Sequence, residues 1–548
     1  MMKEQQGISL PQLPNEIVKN ARKTRLDAFA VALEGWRRGL KLKWYTRDSE
    51  HFKDMVIFGV NPPGRLFSLS SEERTHYFFR TRGDKVTSRA VEIGSEKDDT
   101  KEWLAKAGVP VPLGKGFDEH VTDEEIVTYS KTLNYPLVLK PTNASLGNGV
   151  VTNIDSDEAL LKAIKYVRHD LEYPEVVVEQ HVAGKEYRIY VVEDKVIAAY
   201  NRVPANIIGD GTHTIEELIN LKNRERKKNA RLNSCLIEMD VEILDFIQSA
   251  GYTLQSIPEK GKQIYLRQKT NVSSGGDPID VTDTISEEFK SIAINAIKAV
   301  PDLFHGGVDI IVNENRNLEA SAVVIELNPT AQIGGALYPL KGKARNIPAA
   351  LIDYYFPETE GMDTSESKIY FDLIKILDPL ENRSALEVEV SPAPMEELTI
   401  KRFVVSGDVQ KNSYHRFLKK HAMNLDLHGC INNMVFDEIE IIVGSTSKSA
   451  IEEFKQLISQ YPQGSKVKKI EEEKHESPIT IGFEINERYN TSSLKSVQHA
   501  VRKMEKEVTQ LTRQKNRLEK DNRYIEQSTS WKYTEPLRKV GSLVRRKK

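Results

Sequence analysis

Three oxygen-bearing residues past the middle of the chain have the spacing of a metal site. Asp309 lies in one β-rich run, 308–312, and Glu326 and Asn328 lie two apart at the end of a second run, 322–327. The runs flank a polar loop, which predicts a β-hairpin. Because residues i and i+2 of a strand share a face, Glu326 and Asn328 should point together toward Asp309. Carboxylate and amide oxygens suit Mg²⁺, which binds through one or two carboxylates and substrate phosphates. A polar surface hairpin is the alternative interpretation.

A strand, lysine and glycine-loop pattern upstream indicates a phosphate-binding site. The run 135–140, YPLVLK, predicts a buried strand that ends at Lys140, and the small-residue loop that follows contains Gly147 and Gly149. Backbone N–H groups of such a loop and a lysine ammonium can bind phosphate together. Taken alone the pattern is weak, since many loops that follow strands have the same composition.

Composition describes the chain that must position these residues. The 548 residues exceed one hydrophobic core, so about two to four domains are expected. A net charge of −2 gives no overall attraction to nucleic acid. Cys235 and Cys430 are too few for a disulfide framework and indicate a reducing compartment. With no apolar run of about 18 residues and no signal-peptide pattern at the start, the prediction is a cytoplasmic protein that binds no nucleic acid.

The first 96 residues predict a small α/β lobe. An amphipathic helix is expected at about 27–39, followed by strands at 40–45 and 55–60. Trp36 and Trp44 are interpreted as core residues rather than ligand contacts. This lobe carries no readable chemistry by itself.

Two further elements complete the framework of the central region. A helix within 95–112 should end at Gly108 and Pro110, which are helix-stop signals. The run 176–184, VVVEQHVAG, predicts an apolar strand that carries Glu179.

The order of these motifs resembles the ATP-grasp superfamily. The match is closest to the ATP-grasp part of cyanophycin synthetase and of the bifunctional glutathione synthetases, and it covers about 90–360. It is carried by Lys97, Lys140 with its glycine loop, Glu179-Gln180-His181-Val182, the hairpin with Asp309, Glu326 and Asn328, and the segments 201–220, 265–283 and 338–357.

The resemblance implies a role for each matching residue. The ATP-binding set is Lys97 and Lys140 on the phosphates, loop 141–149 with Gly147 and Gly149 closing over them, Glu179, Gln180 and Val182 as the adenine-reading hinge, and Glu186 on the ribose. Arg267 resembles the arginine that stabilises the transferring phosphoryl group. Asp309, Glu326 and Asn328 resemble the ligands of two Mg²⁺ ions, with Mn²⁺ as an alternative. The substrate-side residues are Asn271, Ser273, Ser274, Gly275 and Gly276, with Arg345 as a carboxylate clamp.

Two of these assignments have a plain alternative. Arg345 could be a surface salt-bridge partner, and Glu186 could be a solvated strand residue.

Amide formation explains why such a set is needed. A carboxylate must first be activated, and ATP supplies the activation as an acyl phosphate. Phosphoryl transfer depends on positioning and charge neutralisation, which calls for Mg²⁺, lysine and arginine. The family therefore implies an ATP-dependent, ADP-forming ligase that joins a small-molecule or peptide carboxylate to an amine. Because no G-x-x-x-x-G-K-[ST] motif marks a second ATPase, a single ligation is expected rather than polymerisation.

From residue 399 the pattern of strands and helices resembles acylphosphatase, a small βαββαβ fold, across about 398–488. Aligning the shared positions places His415 where the catalytic arginine belongs and Asn433 where the water-orienting asparagine belongs, while Lys411 replaces a turn glycine. Arginine offers phosphate a permanent bidentate charge, which histidine does not supply reliably at pH 7. We expect a binding or scaffolding module that hydrolyses acyl phosphates poorly. A retained hydrolase is the alternative.

The end of the chain predicts an interaction segment. Apolar residues from Leu494 recur at heptad spacing, with Leu511 and Leu518 at d and Asn522 at a, which favours a parallel homodimeric coiled coil. A single helix packed on its own body is the alternative. The basic end resembles the tails of polysaccharide-assembly glycosyltransferases. It could therefore contact an anionic membrane, peripherally, or polysaccharide-assembly machinery, or be disordered.

The predicted fold class is α/β multidomain: an ATP-grasp fold, an α+β acylphosphatase-like domain and a coiled-coil helix. The expected boundaries are an N-terminal lobe at 1–96, ATP-grasp at 97–360, a linker at 361–397, the acylphosphatase-like domain at 398–488, and coiled coil with basic tail at 489–548. A non-catalytic ATP-binding scaffold in cell-envelope polymer assembly is the alternative to the ligase.

Overall fold

The computed structural model describes residues 7–142, 149–313, 322–434, 438–460, 466–486 and 507–519. The chain divides into two compact units. The first comprises Met1–Leu398 with Glu476–Ile481, and the second comprises Thr399–His475 with Gly482–Lys548. Within the described ranges, no helix has both the length and the apolar character to cross a membrane.

The first unit is built from three larger β-sheets and two small ones. Its strands are β1 (Lys41–Tyr45), β2 (Leu66–Ser70), β3 (Thr75–Phe79), β4 (Arg82–Gly83), β5 (Gly114–Phe117), β6 (Leu137–Pro141), β7 (Val151–Ile154), β8 (Val176–Gln180), β9 (Lys185–Val192), β10 (Lys195–Val203), β11 (Asn206–Ile208), β12 (Gln263–Tyr265), β13 (Asp277–Asp280), β14 (His305–Val312), β15 (Ala322–Asn328), β16 (Ile369–Tyr370), β17 (Glu387–Glu389) and, from the later segment, β22 (Ile479–Thr480).

Helices cover these sheets. They are α1 (Asn15–Val18), α2 (Thr24–Arg37), α3 (Ser88–Ser95), α4 (Lys97–Lys106), α5 (Asp123–Ser130), α6 (Asp157–Ile164, continued by a π-helical turn at Lys165–Asp170), α7 (Ile215–Arg226), α8 (Val241–Ser249), α9 (Glu287–Ala299), α10 (Gly334–Leu337), α11 (Ile347–Tyr355) and α12 (Leu373–Glu381).

The N-terminal sheet has the order β17-β1-β2-β3-β4. Helix α2 packs on it, and Trp36 and Trp44 are fully buried in the shared core, as predicted. The predicted strand at 55–60 is wrong. Instead, Val56 donates its N–H to Ser88 Oγ at 3.1 Å, and its carbonyl accepts from Arg82 Nη1 at 2.8 Å. Because side chains satisfy this backbone, no neighbouring strand is needed.

Residues 361–397 do not form the linker that their polar start suggested. Phe371 is fully buried and packs edge-on against Trp36 with ring centroids 5.5 Å apart. Leu377 of α12 is buried in the same core, and β17 extends the N-terminal sheet by pairing with β1. The apolar face of α12 therefore closes the N-terminal core.

Two antiparallel sheets carry the central region. The four-stranded sheet has the order β5-β8-β6-β7 and packs against α5 and α6. The central sheet has the order β13-β10-β9-β14-β15, with α3, α4 and α9 on its buried face. A small lobe made of β11, β12, α7 and α8 has its own apolar core.

The second unit contains one five-stranded sheet with helices α13 (Asn412–Asn424) and α14 (Lys448–Ile458). Its strands are β18 (Thr399–Gly407), β19 (His428–Asn433), β20 (Glu438–Ser445), β21 (Val467–Lys474) and β23 (Phe483–Asn486), in the spatial order β21-β18-β20-β19-β23. The chain order up to β21 is βαββαβ, as predicted. The run ITIGFEI is not one last strand, because it divides between β22 in the first unit and β23 in the second.

One further helix, α15, spans 507–519. It contains Leu511 and Leu518 of the predicted heptad seam, whose side chains are 57% and 66% exposed. The remaining seam residues, including Leu494 and Asn522, lie outside the described residues, so the coiled coil stays a prediction.

Candidate active site

A cleft of about 460 Å³ opens between the four-stranded sheet and the central sheet. Most of the predicted ATP-binding residues meet there. Those that line it are Lys97, Lys140, Glu179, Gln180, Val182 and Glu186, together with the predicted substrate residue Asn271 and the predicted metal ligand Glu326. Gly149 has a φ of +69°, and the glycine loop at 143–148, with Gly147, lies outside the described residues.

Two lysines hold Glu179 at the base of this cleft. Lys140 Nζ lies 2.5 Å from Glu179 Oε1, and Lys101 Nζ lies 2.8 Å from Oε2. Burial of Glu179 favours its neutral acid, but the two ammonium charges outweigh burial and hold the pKa of this carboxyl below its ordinary value. Lys101, which the sequence motifs did not single out, therefore supplies part of the positive charge that neutralises Glu179.

Lys97 stands at the start of α4 and reaches toward the same place. Its Nζ donates to the Thr142 carbonyl at 3.1 Å. Burial, and then the neighbouring Lys140 charge, lower the pKa of Lys97. An anion in the cleft would relieve this repulsion, which is the property expected of a phosphate site.

The two predicted strands that carry the candidate metal ligands are present and paired. Strands β14 and β15 pair antiparallel, with Asp309 opposite Glu326 and Gly307 opposite Asn328. Burial, and then the like charge of Asp309, raise the pKa of the Glu326 carboxyl. Nδ2 of Asn328 is buried without a hydrogen-bond partner.

This donor set fits a hard divalent cation. Two neighbouring carboxylates and an amide oxygen, without thiolate or imidazole, are typical Mg²⁺ ligands. Among the described residues, no cluster of three or more His, Cys, Asp or Glu could hold a metal. Mg²⁺ sites with one or two protein carboxylates usually take the rest of their coordination from water and substrate phosphates.

Two arginines that the sequence reading missed lie on Asp309. Arg188 bonds both carboxylate oxygens, with Nη2 2.7 Å from Oδ2, and Arg202 Nη1 lies 2.8 Å from the same Oδ2. Although burial favours the neutral acid, these charges hold the pKa of the Asp309 carboxyl below its ordinary value. Strand alternation could have found Arg188, since it lies two residues after Glu186 and shares its face.

Glu186 is part of the same network. Its Oε1 lies 2.8 Å from Arg202 Nη1, and Thr270 Oγ1 donates to its other oxygen. It lines the cleft rather than pointing into open solvent.

Arg267 and Arg345 are not brought to the cleft lining. Arg267 donates to Asp240 at 2.7 Å and to Glu242 at 2.6 Å. Arg345 donates two hydrogen bonds to the Asp280 carboxylate, at 2.9 and 2.7 Å. Their roles toward substrate stay predictions.

The predicted substrate loop is wound tightly on itself. Ser273 and Ser274 form a 3-10 turn, and the N–H groups of Ser274 and Gly276 both donate to the Asn271 carbonyl, at 3.0 and 3.1 Å. Gly275 has a φ of +97°, and a Cβ on Gly276 would lie 2.6 Å from the Thr270 carbonyl oxygen. The glycines are required by this close packing.

In the second unit, His415 is 1% exposed. Its Nε2 lies 3.0 Å from the Val409 carbonyl, which makes Nε2 the protonated nitrogen, and its Nδ1 is buried without a partner. Burial lowers the pKa of His415, so the imidazole is neutral. Asn433 Oδ1 is also buried without a partner, and Lys411 Nζ lies 2.5 Å from Asp408.

Comparisons with known protein families match a segment in each of the two units. A family model described as "ATP-grasp domain" matches residues 94–333, and one described as "Acylphosphatase" matches residues 401–485.

Two curated relatives match between 51% and 59% of the chain. Cyanophycin synthetase of Trichormus variabilis is 34% identical over 287 residues, which is 51% of this chain and 31% of that protein. The glutathione biosynthesis bifunctional protein GshAB of Streptococcus mutans is 36% identical over 344 residues, which is 59% of this chain and 45% of that protein. This chain thus spans less than half the length of either relative.

A crystal structure of a bifunctional glutathione synthetase from Pasteurella multocida is 29% identical, with a TM-score of 0.43, and the match covers 54% of this chain and 41% of that one. These similarities apply to the matched parts of the chain and not to its whole length. The chain therefore carries an ATP-grasp domain related to those of cyanophycin synthetases and bifunctional glutathione synthetases, followed by an acylphosphatase-like domain.

Proposed function

We propose that this protein is an ATP-dependent, ADP-forming carboxylate–amine ligase that works through an acyl phosphate and requires Mg²⁺. One observation carries the proposal: the lysines and glutamates expected to bind nucleotide line one cleft between two sheets, together with Glu326, which lies opposite Asp309 in the β14–β15 pair. The ATP-grasp match over residues 94–333 supports the same reaction class.

At the nucleotide end of the cleft, different residues bind the adenine, the ribose and the phosphates. The strand end that carries Glu179, Gln180 and Val182 receives the adenine, and Glu186 receives the ribose hydroxyls. Lys97 and Lys140 neutralise the phosphates. Because Glu179 keeps Lys101 at 2.8 Å, Lys140 can turn toward a phosphate without leaving a buried carboxylate unpaired.

The phosphoryl-transfer end lies over the β14–β15 hairpin. Asp309, Glu326 and Asn328 would hold Mg²⁺, which supplies charge neutralisation for the transferring phosphoryl group. Arg188 and Arg202 donate hydrogen bonds to Asp309 and so lie beside that end. They join Arg267 as candidates for stabilising the transferring group.

The chemistry then proceeds on the substrates. The carboxylate oxygen attacks the γ-phosphorus, ADP leaves, and the acyl phosphate forms. The amine attacks its carbonyl carbon, inorganic phosphate leaves with the C–O bonding pair, the nitrogen gives one proton to the departing phosphate or to solvent, and an amide bond results. Asn271 faces the cleft and is positioned to orient an acid or amine, while exclusion of water protects the acyl phosphate.

The acylphosphatase-like domain is proposed to be degenerate. A neutral, buried His415 offers no permanent charge to a phosphate. We propose a binding or scaffolding role for it, with the whole protein cytoplasmic and homodimeric through its C-terminal helix. Contact of the basic end with an anionic membrane surface or polysaccharide-assembly machinery is part of the same proposal.

The test is ADP release by the full chain with Mg²⁺-ATP and pooled amino acids and dipeptides. The control is the double variant Asp309→Ala/Glu326→Ala. Substrate-stimulated ADP release that the double variant lacks is the expected result, and dividing the pools then identifies the acid and the amine. Tight ATP binding with no stimulation by any pool would instead favour the ATP-binding scaffold.

A further inference from the structure

The carboxylate of Asp309 is fully engaged by arginine. The side chain is 1% exposed. Arg188 donates from Nε to Oδ1 and from Nη2 to Oδ2. Arg202 donates a second hydrogen bond to Oδ2, at 2.8 Å. A cation on this carboxylate therefore has to displace, or share oxygens with, at least one guanidinium group.

Both arginines are themselves enclosed. The side chains of Arg188 and Arg202 are only 11% and 10% exposed. Arg202 has a second anion, Glu186, at 2.8 Å, whereas Asp309 is the carboxylate to which Arg188 is paired. A guanidinium released from Asp309 without a new anion would be a buried, uncompensated charge, which is strongly unfavourable.

The backbone is shaped around this arrangement. Asp309 lies directly opposite Arg188 in the β9–β14 pair. A Cβ on Gly307, two residues earlier on the same strand, would lie 2.9 Å from Arg188 Cδ and 2.8 Å from the Ala331 Cβ. Glycine at 307 therefore leaves the space in which the Arg188 stem lies.

We propose that Arg188 and Arg202 make metal binding depend on nucleotide: they hold Asp309 until phosphates arrive, then transfer to the phosphates and free the carboxylate for the divalent cation. This inference rests on the proposed function for the identity of the nucleotide. In this step the arginines regulate metal binding, since they control when Asp309 becomes a ligand.

Thermodynamic linkage between nucleotide binding and metal binding determines the result that this proposal predicts. Because nucleotide and metal both favour the released arrangement, each tightens the binding of the other by the same factor. Coupling factors of this kind are about 5- to 150-fold. Removing an arginine removes the competitor, so metal should bind more tightly without nucleotide and gain less from it.

The experiment uses Mn²⁺ as the probe, titrated into the full chain by calorimetry or by electron paramagnetic resonance. Each protein is titrated alone and with a non-hydrolysable ATP analogue. The variants are Arg202→Gln and Arg188→Met. Arg224→Gln, an exposed position on α7, removes the same charge outside the network. Thermal unfolding establishes that each variant is folded. If Arg202→Gln does not fold, Arg202→Lys is used in its place.

For wild type and Arg224→Gln, we expect weak Mn²⁺ binding alone and binding at least about fivefold tighter with the analogue. For the folded variants at 188 and 202, we expect tighter Mn²⁺ binding alone and a coupling factor that approaches one. Equal Mn²⁺ affinity of wild type with and without analogue would overturn the proposal, as would unchanged coupling in the variants or no Mn²⁺ binding under either condition. Since the readout is binding alone, a ligase that shows no coupling refutes only this inference, whereas coupling without ADP release in any substrate pool refutes only the ligase.

Discussion

Arg188 lies directly opposite Asp309 across the antiparallel pair formed by β9 and β14, and its guanidinium bonds both oxygens of that carboxylate. Opposed side chains on one face of a strand pair are neighbours, so strand register alone brings them into contact. The metal ligand that the sequence predicted most clearly is thus bonded to an arginine that the sequence motifs did not single out.

Replacement of Lys140 by Met should separate nucleotide binding from folding. A charge-assisted bond to phosphate is worth about 1.5–3 kcal/mol, so we expect ATP to bind about 10- to 100-fold more weakly. The melting temperature should change little, because Lys101 still neutralises Glu179. Calorimetric ATP titration measures the effect, with Lys106→Met on the exposed face of α4 as the matched control. ATP affinity equal to wild type would remove Lys140 from the site.

Replacement of Glu326 by Gln should raise stability while abolishing ligation. Burial and the charge of Asp309 raise the pKa of the Glu326 carboxyl, so its ionised form is disfavoured in the folded state. Its contribution to stability is complete below the ordinary glutamate pKa of about 4.3 and is lost as pH rises through the raised value. At pH 7.5 the neutral amide removes that repulsion.

We expect the melting temperature of this variant to rise by up to about 2 °C. Substrate-stimulated ADP release should disappear, because the amide is a poorer metal ligand than the carboxylate. Asp309→Asn is the contrasting variant. It leaves Arg188 without its buried counter-charge and Arg202 with Glu186 as its remaining partner, and should lower the melting temperature. A decrease in stability for Glu326→Gln would contradict the proposed repulsion.

His305 should make the folded state acid-sensitive. It is fully buried, with Nε2 3.0 Å from the Tyr355 hydroxyl, and burial, followed by the charge of Arg82, lowers its pKa to about 3. The unfolded chain takes up this proton near pH 6.5, while the folded chain does not. The contribution of His305 to stability is therefore complete above about pH 6.5 and decreases by about 1.4 kcal/mol per pH unit as pH falls toward 3.

Urea unfolding at pH 7 and pH 5 tests this for wild type and His305→Asn. The variant should be less stable at pH 7 but should lose less stability between the two pH values. Identical losses would mean that His305 does not carry the effect.

The acylphosphatase-like domain should hydrolyse benzoyl phosphate no faster than buffer. The His415 imidazole is neutral and its protonated nitrogen is already bonded to the Val409 carbonyl, so it cannot act as the charged phosphate ligand. Phosphate release from benzoyl phosphate by the full chain without ATP is the measurement. Release at an enzymatic rate that Asn433→Ala abolishes would show a retained hydrolase.

Short sequence patterns predicted those parts of the site that are formed by residues close together in the chain. The hairpin with Asp309 and Glu326 and the buried strand ending at Lys140 follow from alternation and apolar runs within a few residues. These signals survive because each strand has one face in a core. The family resemblance then supplied the order in which the elements come together.

Other features depend on residues that are distant in sequence. Arg202 reaches Asp309 only through the register of three neighbouring strands, and Arg267 is paired with Asp240 and Glu242 at the start of α8. The division of ITIGFEI between two units likewise depends on partners far along the chain. No pattern within those segments specifies such pairings.

The central claim is that the cleft activates a carboxylate as an acyl phosphate, and hydroxylamine tests this most directly. The full chain is incubated with Mg²⁺-ATP, pooled amino acids and dipeptides, and hydroxylamine in place of the amine, and hydroxamates are identified by mass spectrometry. The account predicts one hydroxamate per ADP formed from a particular acid, and none with Asp309→Ala/Glu326→Ala. ADP formation without any hydroxamate would contradict an acyl phosphate and would place the phosphoryl group on another acceptor.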